Sequence, residues 1–323
     1  MQAGETARGA RIAAIDAGRG IALAGMALYH LSWDCAYFGL APSDLPALAP
    51  MRLFSNLVAG AFLATAGVSL ALAHRDGLRS PAFWRRIGKI GGAAALVTAA
   101  SYVFARQETI YFGILHCILV ASLISAWLIG VPAWISLAIG ALALLAPALV
   151  VSPAFDAPAL VWLGLGTVPP HTLDWRPLTP WSGLVFLGLG AARLDLRRFA
   201  AGRLAAWTPR SAGGRALTFA GRHSLAIYLV HQPVLLGLLF AGTSLTGFEA
   251  RREAKEFSHV CQRECVGGGG APDVCRRACG CVLHGLLDAG LARAVARDTL
   301  DDAQTDRYTR IVQSCSAPPP GAH

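Results

Sequence analysis

Long apolar runs separated by short polar connections set the rhythm of the chain. Runs near 15–35, 53–73, 88–105, 110–129, 132–151, 181–194 and 217–241 approach or pass the length a helix needs to cross a bilayer, about 20 apolar residues. The pattern predicts an all-α fold, a polytopic transmembrane helix bundle of seven spans. Segment 181–194 is short for a span, so its helix is expected to extend beyond the apolar run. The stretch PALVWLGLGT, Pro158 to Thr167, is too short to cross. It reads as a slanted or re-entrant element buried against protein, since irregular backbone cannot face lipid, or as part of an eighth span with its neighbours.

Composition agrees with the pattern. Of 323 residues, 54% are hydrophobic and 15% charged, against about 25% charged in a soluble globule. Acidic Glu5 and Asp16 and the lack of a small-residue cleavage site argue against a signal peptide, so a retained first helix is expected. The formal net charge of +9 is scattered between spans rather than gathered on one domain, which tells against a nucleic-acid-binding face. The basic residues cluster instead at Arg8 and Arg11, within 74–89, and at Arg193, Arg197, Arg198, Arg203, Arg210 and Arg215. By the positive-inside rule these segments are cytoplasmic, while 36–50 and 152–180 lie outside. Seven spans then put the N-terminus in the cytoplasm and the C-terminus in the periplasm; an eighth would break the charge pattern.

After Gly242 the character changes. The reading divides the chain into a membrane domain, 1–245, and a small cysteine-rich C-terminal appendage, 246–323. Gly267–Gly270 reads as a turn and SAPPPGAH as a frayed tail. CQREC and CRRAC are twin C-x3-C units whose cysteines share a helix face, so two helices joined by the glycine turn would be stapled together, with Cys281 and Cys315 as a third bridge. Six cysteines permit fifteen pairings. A thiolate metal site with His259 or His284 is the rival, against which the spacing tells; unpaired thiols are the third reading. Disulfides need an oxidising side. Cys35 and Cys117 read as small buried apolar groups.

The first span carries the densest chemistry. Arg19 and His30 are eleven residues apart, which returns them to nearly one helix face, roughly 16 Å apart along the axis. Asp34 follows His30 by four and Asp16 precedes Arg19 by three, so Asp16, Arg19, His30 and Asp34 form one stripe. Facing lipid, such groups would cost several kcal/mol, so the stripe is expected to line a polar interior. A histidine with a carboxylate neighbour is equipped as a general base. The alternative is a packing or topology motif.

Other polar groups punctuate the runs. His116 reads equally as pore-lining or as a satisfied structural histidine. Asn56 sits among Gly60, Ala64 and Gly67, small residues that let helices approach. Asp174, Trp175, Arg176 and Pro177 read as a rigid aqueous loop, with Trp175 and Trp181 as interface anchors. In GRHSLAIYLVHQP, Arg222 and His223 open a helix, Ser224 and Tyr228 share a face, and His231, Gln232 and Pro233 make a polar spot deeper in.

The stretches RIAAIDAGRGIALAGMALYHLSWD, LFSNLVAGAFLATAGVSL, YFGILHCILVASLI, TLDWRPLTPWSGLVFLGLG and GRHSLAIYLVHQP resemble successive motifs of bacterial members of the heparan-alpha-glucosaminide N-acetyltransferase catalytic-domain family, over roughly 11–241. The arginine, ten residues and histidine also resemble a motif of the wider membrane acyltransferase group. The resemblance implies a bundle in the bacterial inner membrane that moves an acyl group, most simply acetyl, from acyl-CoA to a hydroxyl or amine of an envelope sugar or glycan. His30 matches the family's histidine and Arg19 the wider group's arginine; Cys35 stands where an apolar residue is expected. On this reading His30, Asp34 and Arg19 are catalytic, and Asp16, Arg222, His116 and His231 are candidates for holding the donor. The expected partners are the bilayer, acyl-CoA and the acceptor; a homodimer is an assembly the reading admits, and no metal is called for. A transporter or channel would use the same charges as its path, and a structural protein would work through its cysteine domain. The lack of an inverted repeat of broken helices tells against many transporters.

Overall fold

A computed structural model describes residues 12–73, 80–194, 202–246, 248–296 and 299–316. Arg8, Arg11, the first part of 74–89, Arg197, Arg198 and the tail beyond Ser316, all used above, fall outside the described residues. Every regular element described is helical. In order these are α1 (Ala13–Tyr37), α2 (Ala49–Ala73), α3 (Pro81–Phe104), α4 (Ile114–Leu128), α5 (Ala133–Leu149), α6 (Leu178–Leu194), the single turn α7 (Arg203–Ala206), α8 (Ala212–Arg222), α9 (Ser224–Leu245), α10 (Phe248–Gly267), α11 (Pro272–Asp288), α12 (Ala292–Ala296) and α13 (Asp302–Ser316).

The protein is a polytopic membrane helix bundle with a disulfide-bonded C-terminal region. Helices α2, α3 and α9 are each long and apolar enough to cross a membrane, and α4 and α5 are shorter apolar helices. Ile21, Leu53, Leu96, Leu142 and Leu238 are among many large apolar side chains left exposed, as lipid contact requires and water would not tolerate. The expected span 217–241 is corrected. The chain breaks at His223, where ψ is 21°, separating α8 from α9. Only α9 is apolar enough to cross; α8 carries Arg215 and Arg222. Pro158–Thr167 forms no span of its own: it contains one 3-10 turn, Val161–Leu163, just after another at Pro153–Asp156.

Two compact units emerge, Met1–Trp33 with Asp44–Val234, and Asp34–Ser43 with Leu235–His323. In the first, α6 packs against α2, α4 and α5. Its core includes Leu63 and Leu70 of α2, Phe83 of α3, Cys117 of α4 and Leu189 of α6, all fully buried. Without water to expel, such an interface is held by close packing. A β-carbon on Gly67 would strike the Val185 carbonyl, and one on Gly188 the Ala64 carbonyl. The small residues at this crossing therefore set how near α2 and α6 lie. Helices α4 and α6 run parallel. Asp174, just before α6, accepts from the Ile114 N–H at 2.8 Å. At the other end Arg193 of α6 donates to the Leu128 and Val131 carbonyls, each at 2.7 Å, which satisfies carbonyls that the end of α4 leaves without helical partners.

In the second unit, Cys261–Cys279 and Cys265–Cys275 staple α10 to α11, and Cys281–Cys315 ties α11 to α13. Val282, Leu286 and Leu291 form its small core with Phe257, Tyr308 and Ile311 around them. A core of this size needs such cross-links, each contributing about 3 kcal/mol in the chain-entropy account.

Candidate active site

Two polar clusters lie within the first unit, at different levels of α1. The first surrounds Asp16. This carboxylate is 2% exposed. Its Oδ1 is 3.8 Å from Arg19 and its Oδ2 is 3.4 Å from the Arg222 Nε. Glycines bring the arginines together. A β-carbon on Gly20 would strike the Leu217 carbonyl, and one on Gly221 the Asp16 carbonyl, so α1 and α8 touch backbone to backbone beside the two arginines. Arg86 of α3 is also near enough to Arg19 for their charges to interact. The cluster is thus net positive.

The second cluster is centred on His30, about three turns beyond Arg19 along α1. Its ring centroid is 5.0 Å from that of His231 on α9, edge to face. The His231 Nδ1 donates to the Tyr228 carbonyl at 2.6 Å. A carbonyl can only accept, so in the neutral ring the proton sits on Nδ1 and Nε2 presents a bare lone pair. That Nε2 is buried and has no hydrogen-bond partner. Arg176 is near enough to His30 to act on it electrostatically. Its guanidinium donates to the Ser55 hydroxyl at 2.8 Å and lies over the Trp181 ring at 4.5 Å. The aqueous-loop reading of Arg176 is therefore corrected: the residue turns inward because Ser55 and Trp181 offer it a hydroxyl and a π face. Trp175 and Trp181 pack against the core. No pattern in the sequence distinguished Arg176 from a loop arginine.

The remaining candidates fall out differently. Asp34 is buried one helical turn beyond His30 on α1, at 1% exposure. His116 has both ring nitrogens engaged: Nδ1 accepts from the Gly113 N–H at 3.3 Å and Nε2 meets the Thr98 hydroxyl at 3.2 Å. That hydroxyl donates to the Ile110 carbonyl, so His116 secures the start of α4. Asp174 lies against the same turn. Burial pushes its carboxyl up, opposed by the Ile114 N–H, Arg176 and His116.

A family model described as "Heparan-alpha-glucosaminide N-acetyltransferase, catalytic" matches residues 11–233. That span takes in both clusters. No curated protein and no solved structure matches the chain.

Proposed function

The chain belongs to the heparan-alpha-glucosaminide N-acetyltransferase catalytic-domain family, and from that premise we propose that it moves an acetyl group from acetyl-CoA to a hydroxyl or amine of an envelope sugar. The observation that carries the reading is the pair of imidazoles, 5.0 Å apart inside a bundle of membrane helices, one with a bare buried nitrogen.

Arg19 and Arg222 hold the phosphates of the donor, with Arg86 adding charge and Asp16 fixing the two guanidiniums. A donor so anchored extends its long arm along α1 and presents the thioester near His30, roughly 16 Å away. His30 takes the proton of the acceptor as its oxygen or nitrogen attacks the thioester carbonyl. The bond to the acceptor forms, the carbon–sulfur bond breaks, and His30 returns the proton to the departing thiolate. Arg176 stabilises the negative charge that develops on the carbonyl oxygen. His231 accepts the imidazolium's hydrogen bond through its bare Nε2, holding His30 in one orientation. General-base catalysis of this kind contributes about 10²–10⁴-fold.

The basic segments then face the cytoplasm of a bacterial inner membrane, where acyl-CoA is found. The three disulfides, which persist only in an oxidising compartment, support a periplasmic C-terminal region. The test uses purified protein in liposomes with acetyl-labelled CoA and a panel of envelope glycans. Wild type is expected to label a glycan, and His30→Ala to lose at least a hundredfold while remaining monodisperse. Full transfer by His30→Ala would refute the role of His30.

A further inference from the structure

The connections from α3 to α4 and from α5 to α6 together build a cavity that the reaction above does not use. Its volume is about 310 Å³, and its walls are Tyr111, Phe112, Trp162 and Trp175 with Pro158 and Pro170.

The rings are held in place. Asp156 accepts from the Thr167 N–H at 2.7 Å and the Val168 N–H at 3.2 Å, which closes the segment carrying Trp162 into a loop. Trp162 donates its indole N–H to the Ala159 carbonyl and lies 5.6 Å from the Phe112 ring. Across the cavity, Thr172 donates to the Thr109 carbonyl and the Leu173 N–H donates to the Glu108 carbonyl. The donor hydrogens of the Trp162 indole and the Thr172 hydroxyl are thus spent within the protein, so Trp162 offers its ring face. Beside them stands a polar pair: His171, between lining residues Pro170 and Thr172, has its Nε2 3.6 Å from the Glu108 carboxylate, and both side chains reach solvent.

Aromatic faces with a polar edge suit one ligand chemistry. The axial C–H bonds of a pyranose make an apolar face that packs on an aromatic ring, while its hydroxyls project outward to polar groups. We infer that this cavity is a saccharide subsite, in which one sugar ring stacks on Trp162 and Trp175 and its hydroxyls meet Glu108 and His171. The inference rests on the acetyl-transfer reading for its purpose. Trp175 directly precedes Arg176, so the segment before α6 contributes both to this cavity and to the cluster around His30.

Binding is separable from transfer. Chitotriose, maltotriose and choline are each titrated, without acyl-CoA, into the full-length protein in nanodiscs, read by tryptophan fluorescence and calorimetry. At least one trisaccharide is expected to bind. Trp162→Ala should weaken it about tenfold, and Trp162→Phe should recover most of the loss by restoring a ring. Monodispersity and an unchanged melting temperature confirm that each variant is folded, and Trp175→Ala replaces any variant that is not. Choline binding with neither sugar binding would make the cavity a cation cage and overturn the inference, as would no binding at all or sugar binding unchanged by every ring variant. If wild type transfers no acetyl group yet binds a trisaccharide through these rings, the transfer reading fails and the subsite stands.

Discussion

Replacing Asp16 with Asn tests whether the arginine cluster is built for an anion. The substitution keeps the shape and removes one charge from a group in which Arg19 and Arg222 stand 3.8 and 3.4 Å away. At an effective dielectric of roughly 20 those separations correspond to gross attractions of about 4 and about 5 kcal/mol. Arg222 is half-exposed, and water recovers much of that, so the net loss of stability is expected to be about 2–3 kcal/mol. Binding moves the other way. The cluster of Asp16, Arg19 and Arg222 goes from one net positive charge to two. At a more screened effective dielectric of roughly 30–40, a singly charged phosphate at about 7 Å is relieved of roughly 1–2 kcal/mol of repulsion, so CoA should bind about 5–30-fold tighter. Because bound ligand stabilises the folded state by mass action, CoA should raise the melting temperature of Asp16→Asn more than that of wild type. The assay is calorimetric titration of CoA at low and high salt, with melting curves at each CoA concentration. A variant that is less stable but binds CoA no more tightly, or whose binding ignores salt, would show that the cluster only clasps helices and would refute its role in donor binding.

Further outcomes follow from other contacts. Arg193→Met removes two charge-assisted bonds to the end of α4 while keeping the aliphatic stem; it should cost about 2–4 kcal/mol, with Arg193→Lys near half of that, read by thermal unfolding in detergent. A melting temperature unchanged in Arg193→Met would sink the capping role. The Asp156 carboxyl is held below the usual carboxylate range by the Thr167 hydroxyl and the Val168 and Thr167 N–H groups. A carboxyl lowered in the folded state stabilises fully above its unfolded value, about 3.9, and loses that contribution as pH falls through the folded value. Hydrogen exchange at Thr167 and Val168 should therefore quicken in acid once intrinsic rates are divided out, and Asp156→Asn should remove this pH dependence. The same profile in both proteins would count against the clamp.

The legible part of the site was local. His30, Asp34, Arg19 and Asp16 could be placed on one helix face because helical spacing needs only the chain itself. The twin C-x3-C units made a stapled hairpin the leading reading for the same reason, since each pair shares a face wherever the helix lies, and the structure chose it over a metal site. Asn56 and Ser55 mark the limit. Asn56 was the more conspicuous polar residue, yet it is exposed, while its neighbour Ser55 is buried and receives Arg176. Which of two adjacent residues faces inward depends on the rotation of α2 against α6, and a helix that is apolar nearly all round does not record that rotation in its own sequence.

The amino-acid sequence by itself therefore determined that this is a membrane helix bundle with a cysteine-rich tail, because the apolar runs and the change of composition after Gly242 suffice for that conclusion; the structure decided that those cysteines pair as disulfides. The sequence also determined the charges that α1 must hide. Tertiary structure alone decided that His231 meets His30, that Asp16 draws in Arg222, and that Arg176 turns inward from the loop before α6. Those pairs are 201, 206 and 121 residues apart, the last counted to Ser55. Contacts over such separations are fixed by how helices rotate and cross, which the packing of small residues in the assembled bundle sets.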